Sequence, residues 1–555
     1  MIATRPLLLA LSFAAGSVAQ PPVHIRVDLG ASRGAWNPAW TFFGYDEPNY
    51  TYAKNGRKLL SELGAASPTP VYIRTHNLLT SGDGSASLKW GSTNAYTEDS
   101  NGRPVYDWKI LDRIFDTYRD AGVKPLVEIG FMPEALSIKP QPYRHSFPNG
   151  SISTGWAYPP KDYARWAELV YQWVRHDVER YGEAEVASWY WEVWNEPDIS
   201  YWRGTPEEYY KLYDYAADAV KRALPAARVG GPHAAGPAAP KAAEFLRGFL
   251  EHVTHGKNFA TGRTGSPIDY IGFHAKGNPR MVDGHVQMGL RNQARNVAAG
   301  FEIVASFPEL RDKPVIIGES DPEGCAACSA RTTPQNAYRN GPLYASYTAA
   351  MFRSTLDLAE RSHIRLAGAV TWAFEFEDQP WFEGFRELAT NGVDKPVLNL
   401  FRMLGLMGGT RVAITSDGAV NVDEVLASGV RARPAVDALA TRRSNGAAIL
   451  IWNYHDDDVT VPPAAIALHV GGLPAGAHLL LVRHYRIDEE HSNSFAVWKK
   501  LGSPQAPKPE QYSQLESAGQ LALLESPRWL QAKDGALDIP FEVPREAVSL
   551  VEITW

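Results

Sequence analysis

Between about residues 36 and 405 the chain alternates short apolar runs, rich in Val, Ile and aromatics, with longer stretches of helical period. That alternation is the pattern of βα units feeding a parallel sheet. Eight apolar runs are countable, ending near Tyr45, Arg74, Ile129, Trp194, Gly231, His274, Gly318 and Trp372. Eight such units close into a (β/α)8 barrel. Between the runs, Trp108, Leu111, Phe115 and Tyr118 fall at helical spacing, as do Trp166, Leu169, Val170 and Trp173, so each helix carries one apolar stripe to lay on the sheet. Thr205, Pro206 and Glu208 announce another helix through an N-cap, a first-turn proline and a capping-box carboxylate.

Past about Gly408 the texture changes. Asn445-Gly446 is a hairpin turn, and residues 447–453, 479–485 and 547–555 are strand-like runs separated by Pro/Gly-rich joints, which predicts a β-sandwich. Val23, Ile25, Val27 and Leu29 alternate before the barrel begins, so this early strand is expected to pair with the sandwich. The expected organisation is an α/β chain with a signal peptide over 1–19, an N-terminal strand within 20–35, a barrel over 36–407 and a sandwich over 408–555. A length of 555 residues accommodates both cores.

The leader is read from Arg5, the apolar residues 7–15 and the small residues Ser17-Val18-Ala19, and it implies export. Its apolar run is too short to span a bilayer, so no membrane partner is expected. A net charge of -7 provides no field to gather phosphates, which argues against nucleic acid. Cys325 and Cys328 leave a disulfide and two free thiols both open, while a metal would need further ligands that the neighbourhood does not supply. No cofactor motif appears, nor any Gly-x-Ser-x-Gly elbow or His-Glu-x-x-His helix. Seventeen Trp and twenty-five Tyr offer flat apolar faces on which a sugar ring can lie, which points to a carbohydrate partner.

In a barrel of this kind, chemistry sits where strands end at the C-terminal face. Trp189-Tyr190-Trp191-Glu192-Val193-Trp194-Asn195-Glu196-Pro197 ends one apolar run in a glutamate, and Pro314-Val315-Ile316-Ile317-Gly318-Glu319 ends another. Splitting a glycosidic bond with retention needs a protonated acid beside the leaving oxygen and a carboxylate roughly 5 to 5.5 Å away. Glu196 and Glu319 are the candidates, and a dry wall for Glu196 is expected from Trp189, Trp191 and Trp194. Glu192, inside the strand, is expected to face the barrel interior, paired with an arginine such as Arg74.

The Trp-Asn-Glu-Pro segment and the glutamate ending strand seven resemble clan A of the glycoside hydrolases. Tyr72-Ile73-Arg74-Thr75-His76-Asn77, Val127-Glu128-Ile129-Gly130-Phe131-Met132-Pro133 and Gly318-Glu319-Ser320-Asp321-Pro322 narrow the resemblance to family 39, the β-xylosidases and α-L-iduronidases. The resemblance implies a retaining hydrolase with Glu196 as acid/base and Glu319 as nucleophile. By the same likeness Asn195 holds the sugar 2-hydroxyl, His76 touches the sugar, His274 reaches the nucleophile or the sugar, and Trp372 forms an aromatic platform. Glu375 and Glu377 stand as hydroxyl binders. His484 to Asp488, His491 to Asn493 and Trp498 resemble the xylosidase C-terminal region.

His274-Ala275-Lys276 departs from the xylosidase pattern toward the iduronidase one. Lys276 and Arg386 are therefore either cations for a substrate carboxylate or partners of Glu375, Glu377 or Glu383. A β-D-xyloside is the expected substrate, with a uronic-acid glycoside and an α-L-arabinoside as alternatives. The competing reading, a catalytically dead carbohydrate-binding barrel, would require one of the two carboxylates to be missing.

Overall fold

The computed structural model describes residues 21–142, 144–147, 150–153 and 155–555; the expected signal peptide lies outside them. Eight parallel strands close into a barrel. In chain order they are Phe42–Tyr45, Tyr72–Thr75, Lys124–Ile129, Tyr190–Val193, Arg228–Ala234, Tyr270–Lys276, Val315–Asp321 and Leu366–Thr371. Strands five, six and seven run up to three residues past the expected ends, which carries Lys276 and Asp321 into the sheet.

Helices follow the strands and cover the outside. In Tyr163–Tyr181 the stripe Trp166, Leu169, Val170 and Trp173 is buried. The helix Pro206–Ala223 starts at a complete capping box: Thr205 Oγ1 accepts from the Glu208 amide at 3.1 Å, and Glu208 Oε2 from the Thr205 amide at 2.7 Å. Strand glycines make room for bulky interior groups. A Cβ on Gly44 would fall 2.3 Å from the Trp372 ring, and one on Gly318 2.0 Å from His233 Nδ1.

The C-terminal part is one continuous ten-stranded sheet that curls over its own apolar face to form the sandwich. The strand Val23–Ala35 lies within it, antiparallel to Thr410–Ser416 and parallel to Ala464–Gly471. Alternation along Gly446–Tyr454 explains why every residue of that strand is buried. Ala447, Ile449 and Ile451 enter the sandwich core, while Ala448, Leu450, Trp452 and Tyr454 pack on the barrel side. There the helix Pro342–Arg361 bridges the two parts: the Tyr347 and Tyr454 rings meet edge to face at 5.7 Å, and Arg353 Nη1 donates to the Ala438 carbonyl at 3.0 Å. Among the described residues no helix is long and apolar enough to cross a membrane.

Candidate active site

Both glutamates sit at the C-terminal end of the barrel, each re-aimed by a local backbone departure. Strand four ends at Val193, and Trp194 and Glu196 then take left-handed conformations with φ of 73° and 42°. Such φ values are costly for side-chain-bearing residues and concentrate at functional sites. The Glu196 amide is fixed on the His233 carbonyl at 3.1 Å. On strand seven the register slips at Gly318: Phe273 pairs with Ile317 but His274 with Glu319. This bulge turns Glu319 toward the His274 side chain.

An oxygen of Glu196, an oxygen of Glu319 and a ring nitrogen of His274 lie within 4.8 Å of one another. That separation matches the pair of a retaining glycosidase, and it is short of the ~6.5 to 9.5 Å needed to seat a water between inverting carboxylates. The same spacing would admit a cation, but protein cations already crowd it. Lys276 Nζ is 2.7 Å from Glu319 Oε2, and Arg74 Nη1 donates to Glu319 Oε1 at 3.0 Å.

Arg74 is the hub of the barrel interior. Besides Glu319 it donates to Glu192 Oε1 at 2.8 Å, Asn195 Oδ1 at 3.0 Å and Glu128 Oε2 at 3.3 Å. The expected Arg74–Glu192 pair is therefore present, with His233 Nε2 2.8 Å from the other Glu192 oxygen. His76 lies between Asp46, at 2.7 Å, and the oxygens of Glu128 and Glu319, at 3.3 and 3.5 Å. Asp46 is held in turn by Lys89 Nζ at 2.6 Å.

These neighbours drive the two glutamates apart electrostatically. Burial, and next the charge of Glu319, push the Glu196 carboxyl up to about 7 against the pull of Lys276, His76 and Arg74. Burial also opposes ionisation of Glu319. There Lys276, His76 and Arg74 outweigh it and hold the carboxyl well below its usual range. Burial works against charge on His76 too, yet the carboxyls around it, Glu128 and Asp46 with Glu319, pull its proton affinity up, and Asp46 at 2.7 Å and Glu319 at 3.5 Å favour the imidazolium whichever form Glu128 takes. His274 goes the other way: burial takes it down to about 3, and its neutral ring meets Glu196 Oε1 through Nδ1 at 2.9 Å.

Several expectations need correction. Trp189 and Trp191 do not line Glu196, because strand alternation turns them outward, against Phe115 at 5.4 Å and Trp173 at 5.6 Å. Trp194 alone of the three stays near the site, packed on Phe131 and Trp202. Lys276 pairs with Glu319 and Asp321, not with Glu375, Glu377 or Glu383. Arg386 is fully buried on Glu323, Asp321 and the Trp372 carbonyl, so its guanidinium is spent inside the protein. Glu375 is 1% exposed and accepts from the Gly392 amide, while Glu377 accepts from Asn55 at the edge of a surface depression of about 580 Å³. Both therefore already accept hydrogen bonds from neighbouring loops. Cys325 and Cys328 are joined as a disulfide.

The remaining candidates converge. Trp372 lies between His76, whose ring centroid is 4.4 Å away, and the Arg74 guanidinium at 4.9 Å. The Asn195 Nδ2 group is buried with no hydrogen-bond partner among the described residues, and Arg74 fixes the amide's other end. Sequence reasoning missed Asp46, which directly follows the first barrel strand, and Lys89. Trp498 packs on Phe382 at 5.1 Å, bracing the loop after strand eight.

The family model of glycosyl hydrolases family 39 matches residues 24–535. A β-xylosidase from Geobacillus stearothermophilus is 27% identical over 501 residues, spanning 87% of this chain and 86% of its own. An α-L-iduronidase from Homo sapiens is 26% identical over 558 residues, spanning 93% and 77%. Among solved structures, a monomeric β-xylosidase from Caulobacter crescentus superposes with a TM-score of 0.73 at 22% identity, covering 96% of this chain and 99% of that one. A GH39 enzyme from Xanthomonas axonopodis pv. citri gives 0.74 at 21% identity, covering 98% and 100%. At those identities the structures establish the shared fold. The sequence match, spanning nearly all of both parts of the molecule, makes this chain a member of glycosyl hydrolases family 39 and a glycoside hydrolase.

Proposed function

We propose that the enzyme releases terminal β-D-xylose from a xyloside or xylo-oligosaccharide by double displacement, with Glu319 as nucleophile and Glu196 as acid/base. The observation that carries this reading is the pair itself: two carboxyls within 4.8 Å, one protonated up to about 7 and the other ionised. Glu319 attacks the anomeric carbon while Glu196 gives its proton to the leaving oxygen. The ester that forms removes the Glu319 charge, the second largest cause raising Glu196, so Glu196 becomes more acidic and is ready to take a proton from the incoming water. Hydrolysis restores the carboxylate and delivers the sugar with its configuration retained. The unpartnered Asn195 amide suits the sugar 2-hydroxyl, a contact that strengthens as positive charge grows on the ring.

For the sugar, the support comes from β-xylosidase relatives at 27% and 28% identity and from the engagement of Lys276 and Arg386 by internal carboxylates. A nitrophenyl glycoside panel of xyloside, arabinosides, glucoside, glucuronide and iduronide tests it, with xyloside expected to give the highest kcat/KM. Preference for a uronide, abolished in Lys276→Ala, overturns the sugar assignment and leaves the mechanism in place. The leader-like residues 7–15 further support export, which sequencing the N-terminus of enzyme recovered from culture medium tests.

A further inference from the structure

The nucleophile is not the only carboxyl that draws on Arg74 and His76. Glu128, on barrel strand three, uses the same two cations: its Oε2 is 3.3 Å from Arg74 Nη2 and 3.3 Å from His76 Nε2, where Glu319 Oε1 is 3.0 Å from Arg74 Nη1 and 3.5 Å from His76 Nε2. Glu128 is completely buried, and its Oε1 has no hydrogen-bond partner among the described residues. It is also the register partner of Glu192 on strand four, so two carboxyls share one interior face. Glu192 has the stronger claim to ionisation because Arg74 grips its Oε1 with two nitrogens, Nε at 2.8 Å and Nη2 at 2.7 Å, where Glu128 has one Arg74 nitrogen at 3.3 Å. An unpartnered buried oxygen beside an anion favours the protonated form.

We propose that Glu128 is a positioning residue that balances charge during turnover: it holds a proton while Glu319 is a carboxylate and releases it when Glu319 becomes a glycosyl ester. This rests on the assignment of Glu319 as nucleophile. The charged groups facing Glu128 are Arg74 and His76, which favour its anion, and Glu192, which opposes it; Glu319 acts through the two cations it shares with Glu128, and Asp46 and Lys276 act one contact further out, through His76 and Glu319. Burial is the largest influence on the carboxyl and, with Glu192, keeps it up at about 8 in the resting enzyme. Esterification forms a bond from a Glu319 oxygen to the anomeric carbon and breaks the bond from that carbon to the leaving oxygen, which takes the electron pair and the Glu196 proton. One negative charge beside Arg74 and His76 is thereby consumed. Removing a neighbouring anion lowers the Glu128 pKa, so its proton passes to solvent and the two cations regain a partner. Hydrolysis of the ester restores the Glu319 carboxylate, and Glu128 takes a proton back.

The test uses 2,4-dinitrophenyl 2-deoxy-2-fluoro-xyloside, whose leaving group departs as an anion without acid assistance and whose fluorine slows ester hydrolysis. Trapping is followed by intact-protein mass and by peptide mapping, and proton release by an indicator dye in weak buffer near neutral pH. In Glu196→Gln, where the acid/base contributes no proton, about one proton per trapped site is expected, and in the Glu196→Gln/Glu128→Gln double variant none. Absence of release in Glu196→Gln overturns the proposal without requiring the Glu128 variant to fold. Release that persists in the double variant assigns the proton to another group against Glu319, His76 or Lys276, and overturns it as well. A label mapped to a residue other than Glu319 defeats the underlying assignment instead, so the two failures are distinct.

Discussion

Replacing Glu319 with Gln keeps the shape of the nucleophile and deletes its charge, and the account requires the Glu196 titration to move in response. At the 4.8 Å bound on their separation, two like charges repel by about 3.5 kcal/mol for an effective dielectric constant near 20. At ~1.36 kcal/mol per pH unit this amounts to roughly 2.5 units. Burial, the largest cause of the raised value, survives the substitution, and Lys276 survives as an opposing cation. The midpoint of Glu196 should therefore fall from about 7 by about two units. The assay is a pH titration of protein labelled with 13C at the glutamate side-chain carboxyl, with the resonance assigned through Glu196→Gln. A midpoint that moves by less than about half a unit would refute the electrostatic coupling and leave desolvation as the sole cause. The sign for activity follows: kcat/KM of the native enzyme declines as pH rises through about 7, where Glu196 loses the proton it must donate.

Azide should separate the roles of the two glutamates. Glu319→Ala is expected to lose turnover, with azide partly restoring it and giving an azide product of inverted anomeric configuration by polarimetry or NMR; Glu196→Ala should be rescued only on substrates with good leaving groups, and with retention. Trp452→Ala empties a fully buried site on the barrel-facing side of the sheet, and urea unfolding should show a loss of about 3 to 5 kcal/mol, with the largest effect on the junction of the two parts. A loss below about 1 kcal/mol would mean that the junction contributes little.

Much of the architecture could be read from residues alone, because a βα repeat writes its period into the chain. The eight apolar runs, the Thr205–Glu208 capping box and the two strand-ending glutamates are local patterns, and the Arg74–Glu192 pair, although 118 residues apart, is legible because each charge stands inside or at the end of an apolar barrel strand. Parity was harder. In a strand such as Tyr190–Val193, where both faces are buried, the run does not reveal which residues face inward, and so Trp189 and Trp191 were assigned to the wrong side. Long-range ion pairing was harder still. Lys276 is 45 residues from Asp321, and Arg386 is 63 from Glu323, and only the closed barrel and its loops make them neighbours. Glu128 was visible as a carboxylate inside an apolar run, but its significance depends on Glu192 standing at the same register on the next strand. The bulge at Gly318 that turns Glu319 toward His274 leaves no mark in the sequence beyond the glycine itself.

The stereochemistry of the first product bears most directly on the paired-carboxylate mechanism. Proton NMR of a nitrophenyl β-xyloside digest, recorded in the first minutes before mutarotation, should show the β anomer of the released sugar accumulating first. Initial formation of the α anomer would mean a single displacement by water, which Glu196 and Glu319 are too close together to perform.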